Sequence, residues 1–478
     1  MTDLEIVLWK ASDAVRGAVH MEVWVECVLT LFLLKHAVDQ EREAGGHSHA
    51  ALPCAAHFDA LVEVRRKPGN AARIKAAYMA LEQANSGLPR KLITQSRLDA
   101  LVASESDVVD RELGNLLETL GSRGSDPGLT APLGREMLVG AYEDLLRAFP
   151  AVSAENAGEH YTPREVVKFM VQLIEPRPGD SIHDPVCGSG GFLLGCADFL
   201  KKRYDLPQYT ISGQEINPSS WRLAAMNALL HGEDGRRIVC GDTLREPLHL
   251  KDEALEGFDL ILANPPFSVV IEDLEAIMAQ DRFNRFRGVR LSKGRADFAF
   301  ILHMIACMKQ DTGRIATVAP QGVLFRGGGE AHIRRDLIQR NLVDAVIGLP
   351  PKLFYCTGIA AVILVLHAKR ERQDVLFIDA STDYVAGRRR NELGPEQIER
   401  IVATYRNRAS VSGYSRMVSP QQIADNDFNL SISRYVTSTV EDAPIDSHAL
   451  AQRQEELREE LGRVQEEIGE LLEGLGVV

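Results

Sequence analysis

The chain has 478 residues, 45% hydrophobic and 25% charged, the balance of an ordinary globular protein and too long for one compact core. A formal charge of −13 excludes a protein that grips nucleic acid over its whole surface, because phosphates are met by Lys and Arg. Eleven acids against three arginines from Glu441 onward account for −8 of it, so the rest of the chain can still carry local basic patches.

The start, Met1 to Glu5, lacks a basic segment followed by an apolar one, and the apolar stretch Val23 to Leu34 is broken by Glu26 and Thr30. Neither a secretory signal nor a membrane span is expected, which places the protein in the cytoplasm. Apolar residues at three and four spacing predict helices over Leu4–Val19, Glu22–Asp39, Asn70–Asn85 and Leu133–Phe149. Loops are expected at Gly45 to His49 and Gly121 to Gly128. The seven cysteines never form a Cys-x-x-Cys pair, and His47, His49, Cys54 and His57 match no zinc spacing, so no metal is expected.

From about residue 180 short apolar runs alternate with helical stretches, the pattern of a doubly wound α/β sheet with parallel strands. Four runs end just before a polar residue: Ser181–His183 before Asp184, Tyr209–Gln214 before Glu215, Ile238–Cys240 before Asp242, and Phe258–Ala263 before Asn264. In open α/β sheets ligands bind beyond the carboxyl ends of the strands, so these four groups should converge on one crevice. Arg314–Ala319, Val343–Gly348, Ala360–His367 and Val375–Asp379 are further strand candidates, enough for a sheet of seven or more.

Asp184 opens the segment Asp184-Pro-Val-Cys-Gly188-Ser189-Gly190-Gly-Phe192, whose glycines let a ligand approach the backbone. A carboxylate there disfavours a pyrophosphate and suits the cationic amino acid end of S-adenosylmethionine. Glu215 is placed to accept from ribose hydroxyls and Asp242 from an adenine amine, although either acid could be a solvated loop residue.

Asn264-Pro265-Pro266-Phe267 follows the fourth strand. An aromatic amine is a poor nucleophile because its lone pair is delocalised into the ring. The Asn264 side-chain oxygen and the Pro265 carbonyl would accept its two hydrogens, the prolines stiffen the corner, and Phe267 offers a face for an extruded base. Next, Arg282, Arg285, Arg287, Arg290, Lys293 and Arg295 interleave with Phe283 and Phe286 without an acid between them, a candidate DNA-contacting loop or an ordinary solvated one. Arg388-Arg389-Arg390 is a weaker candidate. Near the end Leu457, Leu461, Val464, Ile468, Leu471 and Leu475 form a short heptad seam, fit to pack on a partner helix or on its own domain.

These segments resemble the modification subunits of type I restriction-modification systems along nearly the whole chain. The likeness is carried by Leu8 to Gly17, by Gly158 to Val167, by the segments at Asp184 and Asn264, and by Asp297–Phe300, Gly322–Arg326, Ile347–Pro350 and Asn429–Tyr435. Val186, where the family often has Ala, and Ala360-Ala361, where Pro-Thr is frequent, depart from it. The resemblance implies a methyltransferase sheet of about seven strands over residues 156–436. It also implies an α-helical N-terminal domain over 1–155 and a linker with a C-terminal helix over 437–478.

It further implies transfer of a methyl group from S-adenosylmethionine to adenine N6 in double-stranded DNA. Tyr161, Thr162 and Pro163 would join Asp184, Gly188, Ser189, Gly190, Glu215 and Asp242 around the cofactor. The implied partners are a specificity subunit docked on the C-terminal helix, two copies of this chain per specificity subunit, and a restriction subunit. The same corner would serve a protein glutamine or an RNA base, and a scaffold that binds cofactor without turnover is a third reading.

Overall fold

The structure, a computed structural model, describes residues 3–43, 54–84, 98–104, 106–125, 140–141, 162–286, 289, 291, 295–354, 360–387, 390–436, 454–455, 457–459 and 461–465. The predicted helix over Leu133–Phe149, apart from residues 140–141, lies outside them, as do His47, His49, Tyr161, Arg287, Arg290 and Lys293. Met1–Val436 forms one compact unit and Thr437–Val478 another.

The N-terminal part is helical: α1 Asp3–Ala14, α2 Met21–Glu43, α3 Cys54–Glu63, α4 Asn70–Ala84, α5 Leu98–Ala103 and α6 Asp107–Ser125. Helix α6 was not expected, although Val109, Leu113, Leu116, Leu117 and Leu120 line its buried side. Helix α2 is buried nearly all round from Val23 to Leu34 because its neighbours enclose it. Among the described residues no helix is long and apolar enough to cross a membrane.

Nine strands form the main sheet: β1 Ser181–Asp184, β2 Thr210–Glu215, β3 Ile238–Cys240, β4 Leu260–Ala263, β5 Arg314–Pro320, β6 Val343–Gly348, β7 Ala361–His367, β8 Val375–Asp379 and β9 Ser415–Val418. Their order is β9-β8-β6-β7-β5-β4-β1-β2-β3. The sheet is mixed, not parallel throughout: β7 runs antiparallel to both β5 and β6, and β9 antiparallel to β8. Residues 349–360 link β6 to β7, which lies beside it in the sheet and runs the opposite way.

Every residue of β4, β5 and β6 is buried, as parallel strands covered on both faces require. Helices α7 Arg164–Ile174, α8 Gly191–Arg203, α9 Pro218–Leu230, α11 Asp297–Ala306, α12 Gly329–Gln339 and α13 Pro395–Asn407 accompany the sheet, with the short α10 Leu274–Ala279 and α14 Pro420–Ala424. In α7 the buried Val166, Phe169, Met170, Leu173 and Ile174 recur at helical spacing. Each such side chain contributes about 1.5–3 kcal/mol when fully buried.

The helical N-terminal part joins the sheet region through a buried ion pair, Arg222 of α9 to Glu26 of α2, with Nε 3.0 Å from Oε1. In the second unit the described residues are helical, and Leu457, Leu461 and Val464 are exposed. Ile468, Leu471 and Leu475 lie outside the described residues.

Candidate active site

Strands β4, β1, β2 and β3 lie side by side and parallel, so their carboxyl ends open on one edge. Asn264, Asp184, Glu215 and Asp242 follow one another along it. They line one cavity of about 1070 Å³ together with Thr162, Gly188, Ser189 and Pro266. Pro163, Gly190, Pro265 and Phe267 are not among the residues that line it. Pro163 caps α7, and Gly190 caps α8 at φ 86°. Gly188 also has positive φ, 53°, and a Cβ added there would meet nothing within 4 Å, so the turn leaves its space to a ligand.

The carboxylates hold this turn in shape. Glu215 Oε2 accepts the Gly188 N–H and Oε1 the Asn217 N–H, each at 2.8 Å. Asp184 Oδ1 accepts the Val186 N–H at 3.0 Å. Burial pushes the Asp184 carboxyl well above the usual carboxylate range, and the nearby Glu215 charge adds to this while the Val186 amide opposes it. A cation bound against Asp184 would favour its ionised form. Affinity for a cationic ligand is therefore expected to rise with pH above the ordinary carboxylate range, by up to about tenfold per unit, until Asp184 ionises unaided. Titration calorimetry in buffers of different ionisation enthalpy checks this, since binding should release a proton.

Asp242 is more engaged than the sequence suggested: Oδ1 accepts the N–H groups of Leu244 and Arg245 at 2.9 and 3.1 Å, and Oδ2 faces Arg245 Nε at 3.1 Å. Its first task is to fix the turn after β3. Ile216, beside Glu215, was not singled out in the sequence. It lines the cavity and is 62% exposed, an apolar face suited to a flat ring. An apolar residue directly after an acidic strand end was the available signal.

At the end of β4 the Asn264 amide nitrogen donates to Thr162 Oγ1 at 3.0 Å. Its oxygen, Oδ1, is buried and has no hydrogen-bond partner. A buried acceptor left without a donor costs about 1–3 kcal/mol, so its persistence needs an explanation. Phe267 packs edge-on against Phe354, with centroids 5.6 Å apart and planes at 79°, and keeps part of its surface open.

The basic loop divides. Arg285 was expected to contact DNA, and the structure corrects this: it is buried, pairs with Asp281 at 2.8 Å, and donates to the carbonyls of Thr243 and Leu244 at 2.9 and 2.6 Å. With both side chains of that pair 2% exposed, Arg285→Ala strands a buried carboxylate. It is expected to lower stability by about 3–5 kcal/mol in urea unfolding. Arg282 and Arg295 are exposed, the first over the Phe283 ring at 4.6 Å, and their alanine variants should change stability by no more than about 0.5 kcal/mol. Arg390 is paired with Glu165, while Arg388 and Arg389 lie outside the described residues.

The family model for N-6 DNA methylases matches residues 134–443. The chain belongs to the N-6 DNA methylase family. Among members of that family, it is 33% identical over 348 residues to the type I restriction enzyme MjaVII methylase subunit of Methanocaldococcus jannaschii, covering 70% of this chain and 59% of that one. It is 29% identical over 411 residues to the HindI methylase subunit of Haemophilus influenzae, covering 80% and 89%. The match to the MpnII methylase subunit of Mycoplasma pneumoniae, 30% identical, takes in 70% of this chain and 64% of that subunit. The chain thus spans about three-fifths of the length of two of these three relatives. The crystal structure of a type I restriction-modification methyltransferase subunit from Streptococcus thermophilus superposes with a TM-score of 0.76 at 29% identity, over 91% of this chain and 99% of that one. An α/β methyltransferase sheet with flanking helices is therefore this family member's fold.

Proposed function

We propose that this chain transfers the methyl group of S-adenosylmethionine to the N6 amine of an adenine turned out of double-stranded DNA, as the modification subunit of a type I restriction-modification complex in the cytoplasm. The observation that carries the reading is the unpartnered Asn264 Oδ1, on a residue that lines the cavity and whose amide nitrogen is held by Thr162.

The residues present fit the cofactor. Asp184 suits its cationic amino acid end, the open space over Gly188 suits close backbone approach, Glu215 suits its ribose and Ile216 its purine. Thr162 lines the same cavity, while Asp242 is left with lone pairs for a ring amine. Bound there, S-adenosylmethionine supplies an activated methyl group on a sulfonium.

Asn264 Oδ1 and the Pro265 carbonyl accept the two amine hydrogens and so draw the nitrogen lone pair out of the ring. The prolines keep both oxygens fixed, so that little reorganisation is needed at the moment of reaction. Once methylated the amine is acidic and gives its proton to water, so no general base is required. Phe267, steadied by Phe354, presents its open part to the base.

Arg282, Arg287, Arg290, Lys293 and Arg295, from the segment that follows the Asn264 corner, are assigned to phosphate contact. We assign residues 1–155 to a helical domain, 156–436 to catalysis, and the helix within 437–478 to a specificity subunit that binds two copies of this chain and, with a restriction subunit, completes the complex. Transfer of radiolabel from S-adenosylmethionine, followed by nucleoside analysis, tests the reading. Label in N6-methyladenine of DNA is expected, whereas label only in protein or RNA would replace the proposed substrate.

A further inference from the structure

Two segments of the sequence, Asp297–Phe300 and Gly322–Arg326, have no part in the mechanism above, yet the structure joins them to the Asn264 corner. The corner ends at Ser268, a non-glycine residue at φ 52°. Backbone in that region persists only where its surroundings over-determine it. Here the Ser268 N–H donates to Asp297 Oδ1 at 2.7 Å, the Ala296 N–H donates to the Val269 carbonyl at 3.1 Å, and Val270 bridges Arg295.

The other oxygen of Asp297 is held in turn. Arg326 donates from a terminal guanidinium nitrogen to Asp297 Oδ2 at 2.7 Å, while its Nε lies 3.0 Å from Glu330 Oε2. The Asp297 side chain is 2% exposed and Arg326 14%, so little solvent competes for the pair. Gly322 makes the room: a Cβ there would stand 2.9 Å from Arg326 Nε and 3.2 Å from Cζ.

We propose that Asp297 and Arg326 are positioning residues for methyl transfer, a buried ion pair that fixes the exit of the Asn264 corner as Thr162 fixes its side chain. The role rests on the reading of Asn264 as acceptor of the amine hydrogens. The bland alternative is that Asp297, the first residue of α11, merely stabilises that helix start. The two differ in what they leave unchanged. A helix-stabilising residue affects folding, whereas a positioning residue affects the chemical step after cofactor and DNA are bound.

The test uses the full chain assembled with its specificity subunit, and measures single-turnover methyl transfer to DNA, S-adenosylmethionine affinity and thermal midpoint. Asp297→Asn keeps an oxygen for Ser268 but turns its amide toward Arg326. It and Arg326→Gln are each expected to slow transfer by about 10- to 100-fold, as small misplacements of reacting groups do. Cofactor Kd should stay within about threefold, and the double variant should be no slower than the slower single one. Gly322→Ala, which shifts the guanidinium without removing its charge, should slow transfer in the same direction with a smaller loss of midpoint than Arg326→Gln, which keeps the test open if Asp297→Asn folds poorly.

Transfer within twofold of the unaltered protein in Arg326→Gln and Gly322→Ala would overturn the proposal. So would losses matched by equal losses of cofactor affinity and thermal midpoint. Asn264→Ala is run alongside: if it transfers methyl normally, the acceptor reading fails, and if it is dead while the three variants are normal, only the positioning role fails.

Discussion

Asn264→Ala is expected to lower the methyl transfer rate by at least about 10³-fold, roughly 4 kcal/mol of transition-state stabilisation, while cofactor affinity and fold persist. The substitution removes two unlike things. One is the bond from Nδ2 to Thr162 Oγ1 at 3.0 Å, worth about 1 kcal/mol; the other is a buried oxygen without a donor, whose removal relieves a cost of similar size. Stability should therefore change little, and a collapse in rate cannot be put down to unfolding. Comparison of transfer rate, cofactor Kd by calorimetry and thermal midpoint in one preparation separates these effects.

Glu215→Ala acts at the other end of the cavity and should show the opposite profile, with affinity for S-adenosylmethionine falling by at least about a hundredfold. Its two oxygens each hold a backbone N–H at 2.8 Å, from Gly188 and Asn217, and a hydrogen bond to a charged group contributes about 1.5–3 kcal/mol. Loss of the carboxylate frees the glycine turn at Gly188 and also removes the acceptor proposed for the ribose. Glu215→Gln retains one acceptor oxygen but points an NH₂ at one of the two donors, so an intermediate loss is expected. Calorimetry with S-adenosylhomocysteine, which cannot transfer a methyl, reads binding alone, and an unchanged Kd would remove Glu215 from the cofactor site.

What the sequence made legible was local. Asp184 and Glu215 end short strands and Asn264 follows the apolar run of β4, and the parallel order of β4, β1, β2 and β3 then brings them to one edge without further information. Strand direction is not a periodic property, so the antiparallel β7 could not be read from its apolar residues. Helix α6 carries its own signal, the three-and-four spacing of Val109, Leu113, Leu116, Leu117 and Leu120, and its last turn replaces the start of the loop expected from Gly121.

Arg285 shows a different limit. Composition reports a charge but not its partner, and Asp281 sits one residue before the stretch that read as free of acids. The Thr162–Asn264 bond, across 102 residues, had no signature in spacing at all. A contact of that separation is made by the sheet rather than by local sequence, which is why Thr162 was expected to serve the cofactor alone.

The most direct measurement is an experimental structure of this chain with the proposed specificity subunit, a cofactor analogue that cannot donate methyl, and the proposed DNA substrate. Asn264 Oδ1 and the Pro265 carbonyl are expected within hydrogen-bond distance of the N6 amine of an everted adenine, with that amine facing the methyl-donor position. An amine bonded elsewhere, or a corner turned away from the nucleobase, would contradict the mechanism.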